Sequence, residues 1–148
     1  MDLQGEHRLG LGREQVWELL NDPEILRQCI PGCQELEATG KDGFTAKVVL
    51  KIGPVKATFS GSVDLRDKVY PESYRIVGEG KGGIAGFAKG GAKVHLAPDG
   101  EGTLLSYDVD AQVGGKIAQL GSRLIASTSK KLAAQFFDKF AELAAERA

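Results

Sequence analysis

Cys29 and Cys33 frame the segment Cys29-Ile30-Pro31-Gly32-Cys33 and are the only thiols in the chain. A structural zinc site takes four ligands, and the two histidines, His7 and His95, lie far from them in sequence. With no secretory signal after Met1-Asp2-Leu3, a disulfide is not expected either, and the pair reads as reduced thiols that fill space. Gly78-Glu79-Gly80-Lys81-Gly82-Gly83 matches G-x-G-x-x-G on paper. That motif grips a pyrophosphate only where a strand feeds a helix, and here another strand follows at Ala92. No phosphate loop of the G-x-x-x-x-G-K-S/T kind exists, because Lys81 precedes Gly82 and Lys89 precedes Gly90. Serine, histidine and aspartate all occur, yet nothing in their spacing assembles a nucleophile with a base. His7 alternates onto an apolar face and Tyr107 points the same way, so each can offer one polar atom to an otherwise greasy ligand. His95, Asp108 and Asp110 fall on wet faces.

The elements that must position these groups follow from periodicity. Leu3, Gly5, His7 and Leu9 alternate with Gln4, Glu6 and Arg8, as in a strand with one buried side. Val16, Trp17, Leu19 and Leu20 then cluster at helical spacing opposite Glu14 and Glu18. Asp22-Pro23 starts a second short helix, with Asp22 as its cap, and Pro31 ends it. From about Gln34 the period is two. Phe44 to Ile52, Val55 to Leu65, Tyr74 to Gly78, Ala92 to Leu96 and Leu105 to Val113 each put apolar residues on one side, which indicates an antiparallel sheet with one wet face. The proline-free stretch from Lys116 to about Glu146 repeats Ile117, Leu120, Leu124, Leu132, Phe136, Phe140 and Leu143, predicting one helix about 45 Å long. Gly121 sits inside that stripe and costs about 1 kcal/mol relative to alanine, which suggests open space or close approach beside it.

Strand, two short helices, six strands and a long helix make an α+β chain of helix-grip design: a curved seven-stranded antiparallel sheet wrapped around its last helix. Residues 1–148 are expected to form one domain. Successive hairpins alternate between the two ends of such a sheet. One end holds Gly40 to Gly43, Arg66 to Pro71 and Pro98 to Gly102, which are charged turns. The other holds Ile52 to Val55, Gly80 to Gly91 and Gly114-Gly115, and reads as glycine-rich, apolar and poor in charge. Turns alone need some of these glycines. The long, hydrophobe-bearing segment from Gly80 to Phe87 further suggests a flexible rim at a cavity mouth or a membrane-touching tip. The expected cavity wall takes His7, Phe59, Val63, Tyr107 and Val109 from the strands and Ile84 and Phe87 from the rim. Ile117, Leu120, Gly121 and Leu124 complete it from the helix. Phe136, Phe137 and Phe140 are expected to be core.

A net charge of −1 argues against nucleic acid, which requires a basic face. No run reaches the roughly 18 apolar residues of a membrane span, so a cytoplasmic protein is expected.

Several blocks resemble the CoxG family of carbon monoxide dehydrogenase subunits. They are Glu14 to Pro23, Cys29 to Cys33, Gly53 to Lys56, Gly86 to Gly90 and, most specifically, Tyr107 to Arg123. The family is of the START-like (SRPBCC) superfamily. The resemblance implies a helix-grip fold and an accessory role to a molybdenum-dependent carbon monoxide dehydrogenase-type hydroxylase. It also implies recruitment to the inner face of the cytoplasmic membrane and a lipophilic ligand, such as a quinone, held without covalent attachment. Members that tether to membrane carry a C-terminal apolar extension, whereas the sequence here ends at Ala148, which shifts the expected contact to the glycine-rich loops. Two other functions fit a chain of this kind: a ligand-free adaptor, and a cyclase or hydrolase of the same fold.

Overall fold

A computed structural model describes residues 2–147. Its elements are β1 (Asp2–Leu9), α1 (Arg13–Leu20), α2 (Pro23–Cys29), β2 (Cys33–Thr39), β3 (Gly43–Ile52), β4 (Val55–Val69), β5 (Ser73–Lys81), β6 (Phe87–Asp99), β7 (Gly102–Gly114) and α3 (Ser122–Ala145). The seven strands form one antiparallel sheet in the order β1-β7-β6-β5-β4-β3-β2. Because β1 pairs with β7 while β2 lies on the far edge, α1 and α2 carry the chain from one edge to the other. The fold is the helix grip that the order of elements predicts.

Local chemistry sets the boundaries. Asp22 accepts a hydrogen bond from the Glu24 amide at 2.9 Å and Pro23 opens α2, as the sequence requires. The expected helix from Lys116 is the exception. Lys116–Leu120 forms a 3-10 turn, Gly121 breaks the chain at φ 95°, ψ 150°, and α3 begins only at Ser122. A backbone of positive φ and extended ψ is open only to glycine. Gly121 is therefore a helix boundary and not a gap in a helical stripe. The 24 residues of α3 span about 36 Å.

The interior holds two separate apolar clusters. The larger lies under α1 and α2, where Val16, Trp17, Leu96, Leu105, Phe140 and Leu143 meet. Trp17 stands edge-on to Tyr74 at 5.1 Å and to Tyr70 at 5.5 Å, a favoured aromatic geometry. The smaller lies at the glycine-rich end and gathers Ile52, Val55, Phe59, Ala85, Ile117 and Ile125. Thr103, fully buried, donates its hydroxyl to the Leu11 carbonyl at 2.7 Å and ties the start of β7 to the loop before α1. Thr103→Val keeps the shape but leaves that carbonyl unpaired. It should cost about 1–2 kcal/mol in urea unfolding, and a change near zero would show that water replaces the bond.

Candidate ligand-binding site

Between the two clusters the inward face of the sheet is built from small residues. Strand register places Ala46, Gly61, Gly80 and Ala88 in one row across four strands. The next row runs Val63, Gly78, Gly90 and Ala111. A side chain added at Gly80 would meet nothing within 4 Å. One row further on, Ala92 pairs with Val109, which is half-buried. The inward side of α3 follows the same profile. Ile125 is 8% exposed and Phe140 fully buried, while Thr128, Leu132 and Phe136 between them remain only half-buried. Backbone approaches of α3 to the sheet concentrate at β1 and β3, so the helix bridges the curved sheet rather than settling into its middle. A helix anchored at both ends over a floor of glycine and alanine is the arrangement that an internal ligand space would need.

At one side of this floor three rings lie nearly parallel. Phe137 stacks on His7 at 4.3 Å and on Tyr107 at 5.1 Å, with His7 and Tyr107 6.0 Å apart. Gly5 makes the arrangement possible, since a side chain there would collide with the Tyr107 ring. Desolvation holds the His7 imidazole below the ordinary 6.5, outweighing the opposite pull of Asp138, and burial raises the Tyr107 phenol. At neutral pH both groups are thus uncharged hydrogen-bonding partners on an aromatic wall. Because the folded His7 binds a proton less readily than the unfolded one, its contribution to stability is intact above 6.5 and fades as pH falls through the folded value. His7→Phe should flatten that acid-side loss in unfolding curves run below pH 6.5. An unchanged profile would place the sensitivity elsewhere.

The expected wall residues divide accordingly. Val63, Tyr107 and Val109 line the floor, and His7 faces its rim. Phe59 and Ile117 are buried in the smaller cluster with Leu120 against it, and Leu124 abuts the β3–β4 turn at Gly53. Gly121 is exposed beside open space. Ile84 and Phe87 need correction. Ile84 is 91% exposed on a 3-10 turn, and Phe87 is 42% exposed. In the β6 register Ala88 and Gly90 take the inward positions, so Phe87 falls on the outer face, with its ring over Gly114. Phe137, expected as core, packs half-buried against the larger cluster and also forms part of the aromatic wall. Thr128 escapes a search for apolar periodicity, although its spacing from Ile125 and Leu132 places it on the same helical side.

The rim is closely packed in its backbone and is not poor in charge. Gly86, Gly115 and Gly121 all occupy glycine-only backbone conformations, and a Cβ on Gly115 would fall 2.5 Å from the Gly86 Cα. Glycine here serves close backbone approach as much as turning. Lys51, Lys56, Lys81, Lys89 and Lys116 lie in or next to the segments that form it.

Other features carry less. A groove of about 730 Å³ on the outer face is lined by Asp64, Arg75, Glu79, Lys93 and Asp108, walls of mixed charge that do not suit an apolar molecule. Cys29 and Cys33 are free thiols, with burial pushing Cys29 up to about 11 and Cys33 in the same direction. His95 is exposed and 3.9 Å from Glu72. Among the described residues no His, Cys, Asp or Glu cluster has metal-binding geometry, and no helix is long and apolar enough to cross a membrane.

The sequence profile of the CoxG family of carbon monoxide dehydrogenase subunits matches residues 5–145. The crystal structure of a conserved protein from Geobacillus kaustophilus is similar at 34% identity and TM-score 0.92, over 99% of this chain and 96% of that one. A START superfamily protein from Mycobacterium smegmatis has TM-score 0.76 at 13% identity, covering 99% of both chains. The Zhui aromatase/cyclase from Streptomyces has TM-score 0.70 at 12% identity, over 99% and 94%. The last two share the fold alone. No curated protein matches the chain by sequence.

Proposed function

The chain belongs to the CoxG family of carbon monoxide dehydrogenase subunits, and from that premise we propose that it is a non-catalytic accessory protein that carries a lipophilic molecule. The ligand, of quinone or lipid class, lies between the small-residue floor and the centre of α3. The carrier meets the membrane through its glycine-rich end and serves a molybdenum-dependent carbon monoxide dehydrogenase-type enzyme.

The observation that supports this reading is the pair of rows Ala46-Gly61-Gly80-Ala88 and Val63-Gly78-Gly90-Ala111, lying between two filled cores. A chain that needed only stability would fill that space, since close packing is the rule in interiors. Burying about 300 Å² of apolar ligand surface contributes about 7 kcal/mol before the loss of ligand freedom is subtracted. The Tyr107–Phe137–His7 wall suits a flat head group, by stacking, with His7 and Tyr107 available as hydrogen-bonding partners. A catalytic reading gains little here. The ring neighbours of His7 are Phe137 and Tyr107, which supply no nucleophile–base pair.

Native mass spectrometry of gently purified protein, paired with solvent extraction, tests the proposal. The expected result is a co-purifying quinone or lipid, with one-to-one uptake of a short-chain quinone after stripping. No bound species and no uptake, alongside intact capture of the partner enzyme, would leave a ligand-free adaptor.

A further inference from the structure

We propose that the glycine-rich end of the sheet is a docking surface for an anionic lipid bilayer, with Ile84 as the inserted side chain and a ring of lysines around it. The inference deepens the carrier reading by naming the surface that the membrane contact requires, and it holds whatever the ligand is.

Three segments distant in sequence converge there: the β3–β4 turn, the β5–β6 loop and the stretch from β7 to the first turn of α3. Across residues 51–56, 79–91 and 113–124 they supply six cations, Lys51, Lys56, Lys81, Lys89, Lys116 and Arg123, against one carboxylate, Glu79. Only Lys81 is drawn to that carboxylate, at 3.9 Å, with both side chains well exposed. The turns at the opposite end carry Asp42, Asp67, Glu72, Asp99 and Glu101 against Lys41, Arg66 and Lys68. A chain of net charge −1 is therefore electrically polar, with its positive pole at the tip. On the β5–β6 loop, among these cation-bearing segments, Ile84 is 91% exposed and Phe87 is 42% exposed. An exposed isoleucine on a turn is unfavourable in water and well placed in an acyl–headgroup boundary.

The platform is closely packed. Ala85, next to Ile84, is buried in the smaller cluster, and the Gly86 and Gly115 backbones are in close contact beneath the turn. Insertion of one apolar side chain from a closely packed turn, with cations held at headgroup level, is a mode of peripheral binding that needs no added helix.

Co-sedimentation of the full chain with vesicles tests this. Strong binding is expected to vesicles of equal parts phosphatidylcholine and phosphatidylglycerol, weak binding to phosphatidylcholine alone, and release as salt is raised. Ile84→Ser should weaken binding about tenfold, a solvent-exposed change with little risk to the fold. Lys81→Glu and Lys89→Glu should each weaken it about fivefold or more. Lys41→Glu, at the far pole, should leave it unchanged. No binding to the anionic vesicles, or equal salt-insensitive binding to both kinds, overturns the proposal. So does a result in which tip variants lose an acidic protein partner while the parent chain ignores vesicles, because the occupant is then a protein. Stripped protein and ligand-excluding variants should still sediment, which separates failure of this surface from failure of the carrier reading.

Discussion

Gly80→Leu is expected to weaken uptake of a lipophilic ligand about a hundredfold while leaving the fold at least as stable. Gly80 sits on the inward face of β5, paired with Gly61 and Ala88, and a side chain added there meets nothing within 4 Å. Its φ is not in the left-handed region, so leucine adopts the strand without strain. The substitution removes the entropic handicap of glycine in a strand, worth about 0.5–1 kcal/mol. Its side chain occupies the space assigned to the ligand. If about 120 Å² of apolar ligand contact is lost, the penalty is about 3 kcal/mol, or roughly a hundredfold in affinity. Titration with a short-chain quinone, alongside thermal unfolding, reads both effects. Full affinity in a well-folded variant would mean that the ligand lies elsewhere.

Gly115→Val should destabilise the chain by about 3–5 kcal/mol in urea unfolding. Gly115 has φ 79° and ψ −153°, a conformation that costs a non-glycine residue about 1–3 kcal/mol. A Cβ there would also lie 2.5 Å from the Gly86 Cα, which is backbone and cannot turn aside. Forced overpacking adds about 1–3 kcal/mol. A loss below about 1 kcal/mol would show that the two loops part easily and that the rim is loose after all.

Much of this architecture is legible in the residues. The alternation from Phe44 to Val113 assigns the inward side of the sheet, and Asp22-Pro23 marks a helix start that the structure reproduces. The failures have specific causes. Ile117, Leu120 and Leu124 are spaced by three and four, which satisfies an α-helix and also a 3-10 turn followed by one, so periodicity alone does not reveal the break at Gly121. Phe87 goes astray because a segment so rich in glycine reads as loop, where no alternation assigns a side. Counting back by twos from Ala92 through Gly90 to Ala88 sends it outward. The aromatic wall joins β1, β7 and α3, and no local pattern announces that Phe137 reaches His7 across more than a hundred residues. The basic ring escapes a linear reading for the same reason, because its cations are scattered one or two at a time over three glycine-rich segments. The small-residue floor is a mixed case. Gly61, Gly78 and Ala111 are visible as inward positions, whereas Gly80 and Gly90 fall in the segment that reads as loop, and only strand register shows that all five lie in two adjacent rows.

Whether apolar cargo enters beneath the middle of α3 is best decided by nuclear magnetic resonance of labelled protein titrated with a short-chain quinone. The expected outcome is saturable shifts confined to the concave surface: the methyls of Val63, Val109 and Leu132, the ring signals of His7 and Tyr107, and the Gly78 and Gly80 amides. Shifts gathered instead around Arg75, Lys93 and Asp108 on the convex side, or none at saturating ligand, would contradict it.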